Sequence, residues 1–246
     1  MRAVNGQWLK VNSFLKTLGQ STIDLVFPIS CVVCGKEGFF LCQNCLEKLP
    51  KVPHQKCIVC QLPSAFGKTH PDCTTRNTVD GLVCALPYSN QDVDNLIGIF
   101  KYKFVSDLAE SLGRIISDEI VSLNLSDYFS EFTIIPIPLH KNRFAWRGFN
   151  QAQLLSKIVA DRLNLPIDEN LVSRAKNTKP QIKLTRDERK RNLENAFAIK
   201  TSEAAAGKKF LLVDDVVTSG ATMNEIAKLL KKNKALEVWA IAVAHG

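Results

Sequence analysis

Two constellations in this chain combine residue types and spacing that can do chemistry. The first is Phe210-Leu-Leu-Val-Asp-Asp-Val-Val-Thr-Ser-Gly-Ala-Thr222. Its four leading apolar residues, Phe210–Val213, predict a strand buried on both faces. Asp214 and Asp215 follow at its C-terminal end, where open α/β sheets bind ligands. Adjacent carboxylates repel one another, so a ligand or a metal is expected to compensate them. Vicinal ribose hydroxyls are suitable donors, and Mg²⁺ can bridge such carboxylates to a pyrophosphate. Thr218, Ser219, Gly220, Ala221 and Thr222 add hydroxyls and close backbone N–H groups at a predicted helix start, which attracts phosphate. Gly220 lets the backbone approach the ligand. A plain N-cap at Asp215 or Thr218 accounts for one polar residue of this run but not for the run. The segment reads as a site for a phosphorylated ribose.

The second constellation is cysteine. Seven of the eight cysteines lie between Cys31 and Cys73. Cys31-Val-Val-Cys34 and Cys42-Gln-Asn-Cys45 are two C-x-x-C pairs, a spacing that completes a tetrahedral Zn²⁺ site. Gly35 suits the turn such a knuckle needs. Cys57-Ile-Val-Cys60 and His70-Pro-Asp-Cys73 supply four further ligands, with His70 in place of a thiolate. No open coordination position is suggested, so the zinc, one ion or two, is expected to be structural. Cys84 lies in an apolar stretch and reads as a small buried hydrophobe.

The elements that must position these groups divide the chain near residue 80. Residues 28–79 are rich in cysteine, proline and turns, with no long amphipathic segment, and hydrophobic burial alone would not fold them. Residues 80–246 alternate strand and helix patterns, the signature of an α/β domain. Strands are expected at Leu82–Tyr88, Thr133–Pro138, Phe210–Val213 and Val238–Ala244. Helices are expected at Val93–Phe104, Val105–Leu123, Phe149–Leu163 and Thr222–Lys232. Residues 1–27 carry apolar positions from Trp8 to Phe27 that fit a helix packed on the core, with an interfacial membrane anchor as the alternative.

Basic residues gather beside the first constellation. Arg143 and Arg147 follow a strand end in Pro136-Ile-Pro-Leu-His-Lys-Asn-Arg143 and Arg147-Gly-Phe-Asn-Gln151, placed to grip a pyrophosphate bidentately. Asn150 is positioned to cap the next helix. From Arg174 to Lys200 there are nine Lys/Arg against three Asp/Glu. This long polar stretch, with Gln181, Leu184, Arg189, Arg191 and Asn192, reads as a lid. Asp187 and Glu188 within it are weak candidates for acid–base work. Phe144, Trp146 and Phe149 are candidates for stacking on bases, with Phe149 equally suited to the core. The net charge of +8 suits polyanionic ligands. No apolar run approaches the ~18–20 residues that cross a bilayer, and no signal-peptide pattern is present, so a cytoplasmic protein is expected, with a peripheral place at the inner membrane as the alternative.

The Phe210–Thr222 loop resembles the 5-phosphoribosyl-1-pyrophosphate (PRPP) signature of type I phosphoribosyltransferases. That resemblance implies ribose hydroxyls on Asp214 and Asp215, and the 5′-phosphate on Thr218–Thr222. Relatives acting on 6-oxopurines carry a carboxylate where this chain has Thr218, which argues against such a substrate. With the cysteine-rich N-terminus, Arg147-Gly-Phe-Asn-Gln151, the basic lid and Lys101-Tyr102, the chain from about Phe27 onward resembles the ComF/GntX family. It departs at His70, where the family usually has cysteine. The resemblance implies an α/β fold: a mostly parallel, type I phosphoribosyltransferase-like sheet flanked by helices, after a double zinc ribbon. It further implies PRPP with Mg²⁺, single-stranded DNA taken up during natural transformation, and a helicase-like competence partner. A phosphoribosyltransferase of nucleotide metabolism and a PRPP sensor without turnover are the alternatives.

Overall fold

The computed structural model describes residues 29–102, 106–176, 192–201 and 203–246, with the side chains of residues 102, 106 and 107 excepted. The N-terminal helix expected over residues 1–27 therefore lies outside the described residues. So do Gln181, Leu184, Asp187, Glu188, Arg189 and Arg191 of the stretch expected to form a lid.

The chain forms two compact units, Met1–Lys48 and Leu49–Gly246. In the first, the described part is a knuckle followed by a short helix α1 (Gln43–Lys48). The Cys31 amide bonds Lys36 O at 2.8 Å, and the Gly35 amide returns to Cys31 O at 2.8 Å. Gly35 sits at φ +75°, a left-handed conformation that favours glycine.

The second unit is built on a four-stranded sheet in the order β1-β6-β5-β2. Its strands are β1 (Gly81–Pro87), β2 (Phe132–Pro136), β5 (Lys209–Val217) and β6 (Glu237–His245). All three pairings are parallel. Such a sheet must be covered on both faces. On one face lie α3 (Ser106–Ser122) and α6 (Gln151–Leu163), with α2 (Gln91–Tyr102) before them and the short α4 (Ser126–Phe129) between them in the chain. Gly113 lets α3 and α6 close up, since a Cβ there would stand 2.6 Å from Ile158 Cγ2. The other face is covered by α7 (Ala221–Lys232), whose Met223, Ile226, Ala227 and Leu230 are buried in a cluster with Leu82, Phe210, Leu212, Val238 and Ala240.

The expected elements appear with their ends shifted by at most two residues, and three features differ in kind. The strand expected to stop at Val213 continues through both aspartates to Val217, because β6 keeps pairing with it to Val217↔His245. The basic segment after β2, given no element in the sequence reading, is a helix, α5 (Lys141–Arg147), whose first-turn amide of Asn142 is accepted by His140 and whose end is a left-handed Gly148. Finally, β3 (Val172–Arg174) and β4 (Phe197–Ile199) form an antiparallel pair at the two ends of the basic stretch. Three residues each are too few to show a strand period in sequence.

The edge of β1 is closed by the segment before it. The Gln55 side chain donates to Cys84 O at 2.9 Å and accepts from Cys84 N at 2.9 Å, which occupies a free strand edge. Gly67 lies so close that a Cβ would stand 2.0 Å from Leu82 O. Cys84 itself is buried. No described helix is long and apolar enough to cross a membrane.

Candidate functional site

Each C-x-x-C knuckle brings its thiols together by turning back on itself. Cys31, Cys34, Cys42 and Cys45 offer ligand atoms all within 4.8 Å of one another, and so do Cys57, Cys60, His70 and Cys73. In the second set the Cys57 amide bonds Leu62 O and the Gln61 amide bonds Cys57 O, each at 2.9 Å. His70 Nδ1 stands 3.3 Å from Cys60 Sγ, so the residue that breaks the all-cysteine pattern sits among the ligands.

The electrostatics of both sets fit a cation. Burial works against the Cys31 thiolate, but the N–H groups of Cys42, Cys34 and Val33 bring its pKa down to about 6. Burial and the neighbouring thiols push Cys45 up to about 12. The second set repeats this split, with Cys57 at about 7 and Cys73 at about 11. Thiols that resist sharing negative charge, each with backbone N–H groups aimed at one sulfur, are the donor set that Zn²⁺ satisfies.

The second candidate site lies at the C-terminal edge of the sheet. A cleft of about 400 Å³ is lined by Asp214 and Asp215 on β5, Thr222 on α7, and residues of α2, α5 and α6. A shallower bowl of about 30 Å³ adjoins it, lined by Asp214 and Val216–Met223. Gly220 is the N-cap of α7 at φ +69°. The bowl lies at this helix start, where first-turn N–H groups favour an anion.

Opposite the aspartates stand four cations. Lys101 Nζ is 3.4 Å from Asp215 Oδ2, and Arg143, Arg147 and Arg174 line the same cleft. Arg147 Nη1 donates to Gln151 Oε1 at 2.8 Å, which fixes the guanidinium on the α5–α6 corner. Asn150 holds that corner from both sides: its Oδ1 accepts from Ala152 N at 3.1 Å and its Nδ2 donates to Ile137 O at 3.0 Å. Burial and the facing Arg143 lower the Arg174 pKa to about 10. Burial and the Asp215 charge push the Asp214 carboxyl up to about 8. Asp214 therefore holds a proton at neutral pH until a donor or a cation compensates it.

The structure thus brings Asp214, Asp215, Thr222, Arg143 and Arg147 into one cleft, with Thr218–Ala221 in the adjoining bowl. Arg189 and Arg191 lie outside the described residues. Trp146 joins the cleft rim at 71% exposure, and Phe144 is 47% exposed. Phe149 packs its ring 6.5 Å from that of buried Phe100, in keeping with the core role open to it. Arg174 was legible only as the start of a basic stretch, because its place depends on the β3–β4 pair. Lys101 closes a helix of ordinary amphipathic pattern, and no local signal aims it at a carboxylate.

Comparison with known proteins follows the same division. Residues 150–246 match the phosphoribosyl transferase domain, and residues 22–74 match the double zinc ribbon domain. Competence protein F of Haemophilus influenzae is 30% identical over 229 residues, covering 89% of this chain and 98% of that protein. Competence protein ComFC of Bacillus subtilis is 32% identical over 203 residues, covering 80% and 81%. The DNA utilization protein YhgH of Escherichia coli K12 is 36% identical over 154 residues, covering 59% of this chain and 65% of that protein.

Proposed function

This chain belongs to the ComF family, and from that premise we propose that it binds Mg²⁺-PRPP in the cleft at Asp214 and Asp215 and serves the uptake and use of DNA, handling incoming single strands. The observation that carries the reading is the cleft itself: buried Asp215 and half-buried Asp214 beside an open helix start, faced by Lys101, Arg143, Arg147 and Arg174. Asp214 and Asp215 accept hydrogen bonds from the ribose hydroxyls. The N–H groups of Thr218–Thr222 hold the 5′-phosphate. The guanidinium groups offset the pyrophosphate, and where turnover occurs they stabilise the charge that develops as it leaves. Asp214 and Asp215 would hold Mg²⁺ together with the pyrophosphate, and the ion would supply charge neutralisation there. The zinc-ligand sets are structural.

The role in DNA uptake and use is supported by the names of the relatives and by the basic rim, where exposed Phe144 and Trp146 stand beside arginines. A basic rim with aromatic faces suits a single strand. Arg189 and Arg191 extend the same charge in the sequence. Calorimetric titration of the zinc-loaded protein with Mg²⁺-PRPP should give one saturable site, and absence of binding sinks the reading of the cleft. Polarisation with labelled single-stranded DNA should give an affinity that falls steeply with salt; salt-insensitive or absent binding removes the DNA part. Pyrophosphate release in the presence of bases or single-stranded DNA distinguishes an enzyme from a sensor that retains PRPP.

A further inference from the structure

The second ligand set is not a free-standing module. Ile58, held between ligands Cys57 and Cys60, is 1% exposed and belongs to the core cluster of Val217, Met223, Ile226 and Val238. A Cβ placed on Gly220 would stand 2.6 Å from both Cδ1 and Cγ1 of Ile58. The glycine at the phosphate bowl is therefore seated directly on the side chain that the metal knuckle presents.

A second link runs through His70. Its neighbour Thr69 donates its hydroxyl to Val79 O at 2.8 Å and its amide to Asp80 O at 2.8 Å. The Val79 amide in turn bonds Asn224 Oδ1 at 3.0 Å, in the first turn of α7. Lys231, at the far end of α7, bonds Thr78 O at 2.8 Å and Asp80 Oδ1 at 2.7 Å. Two separate routes thus join the metal ligands to the helix whose start forms the bowl.

We infer that the Cys57–Cys60–His70–Cys73 set is the buttress of the phosphate loop, with Ile58 as its positioning residue, so that zinc held there and a phosphoribosyl ligand in the bowl strengthen one another. The inference rests on the PRPP reading of the cleft. Zinc fixes the knuckle, the knuckle fixes Ile58, and Ile58 with the Thr69–Asp80 strap holds Gly220 and Asn224 where the loop accepts an anion. Coupling between sites is reciprocal in binding free energy, so the ligand must also tighten the hold on zinc, which a chelator reads as slower loss. The first set belongs to the other compact unit, and its zinc serves as the comparison.

The test uses the full-length protein loaded with zinc at both sets. Zinc release to a chromophoric chelator is followed with and without saturating Mg²⁺-PRPP, with matched pyrophosphate to correct for chelation in solution. One zinc equivalent should leave about fivefold more slowly or better with PRPP, and the other at an unchanged rate. Ile58→Val, which trims the methyl group against Gly220, should cut that protection, and Ile58→Ala should remove it. In a double-mutant cycle, PRPP affinity lost in Gly220→Ala should be partly restored by Ile58→Ala or, if that variant does not fold, by Ile58→Val. PRPP bound by calorimetry with no change in either zinc rate overturns the coupling. An equal loss from Gly220→Ala in every background overturns the role of Ile58. No PRPP binding at all overturns the reading of the cleft, and the coupling with it.

Discussion

The two cysteine-ligand sets share spacing and charge pattern but differ in what they are made to hold. In the first, the residues inside the knuckle, Val32 and Val33, are half-buried, and the turn behind it is a glycine. In the second, Ile58 is fully buried in the core of the sheet unit, and the turn behind it is Gln61 at φ +63°. The first set orders its own short segment. The second uses the same geometry to aim one aliphatic side chain at the floor of a ligand site. A metal-binding spacing therefore predicts the metal but not the load it carries. That load is set by the residues between the ligands.

The largest expected effect separates the sets outright. Removing a structural zinc forfeits about 10–16 kcal/mol of folding free energy in isolated zinc domains. Cys57→Ser with Cys60→Ser should therefore abolish PRPP binding by calorimetry and lower the unfolding temperature of the sheet unit. Cys31→Ser with Cys34→Ser should change PRPP affinity by no more than about threefold, within ~0.7 kcal/mol. Equal losses from both pairs would erase the distinction.

A milder test compares like with like inside the knuckles. Ile58→Ala should destabilise by about 2–5 kcal/mol, the cost of truncating a fully buried aliphatic side chain. Val33→Ala, at a half-buried position, should stay near 1 kcal/mol. Urea unfolding of both variants checks the difference. Two similar values would mean that Ile58 is ordinary filling.

The loop can also be struck from the ligand side. Asp214→Asn with Asp215→Asn should weaken PRPP about a hundredfold or more, since two charge-assisted hydrogen bonds at about 1.5 kcal/mol each are lost. Zinc content at both sets should stay full. Asp214 also predicts a pH dependence. Its folded pKa of about 8 lies above its ordinary 3.8, so the folded state holds a proton that the unfolded state has lost. The stability this provides is complete below about pH 4 and is lost as pH rises through 8. Asp214→Asn should flatten that fall. Ribose hydroxyls and Mg²⁺ favour the carboxylate, so PRPP binding near pH 7 should release a proton. Calorimetry in buffers of different ionisation heat reads that release.

How much of this was legible in the sequence follows from how local each signal is. The acidic pair, the glycine at the helix start and the C-x-x-C spacings are contiguous motifs, and their residues were readable one by one. Phosphate loop and knuckle lie about 160 residues apart, and nothing in either names the other. The contact of Ile58 with Gly220 exists only once β1, β6 and β5 are side by side. Arg174 was readable only as the start of a basic stretch and Lys101 only as a family position, because each reaches the cleft through pairing or packing that no periodicity encodes. The end of β5 was misplaced because two aspartates read as a strand stop, whereas parallel pairing with β6 carries the strand through them.

The smallest effect concerns the turn behind each knuckle. Gly35 has nothing within 4 Å of where a Cβ would stand, so Gly35→Ala meets only the left-handed backbone, at about 1 kcal/mol. Gln61 already bears a similar strain, and its side-chain amide donates to Ile58 O at 2.9 Å. Gln61→Gly relieves the backbone but releases that carbonyl, and the two terms, each about 1 kcal/mol, nearly cancel in stability. They need not cancel in function, because the bond that is lost holds the carbonyl of the buttress residue. Gln61→Gly should therefore leave the unfolding midpoint almost unchanged while weakening PRPP by about two- to fivefold. Gly35→Ala should do the reverse for its own unit, lowering stability with PRPP affinity intact. If Gln61→Gly leaves PRPP binding untouched, Ile58 is held by the zinc ligands alone and the glutamine is only a tolerated turn.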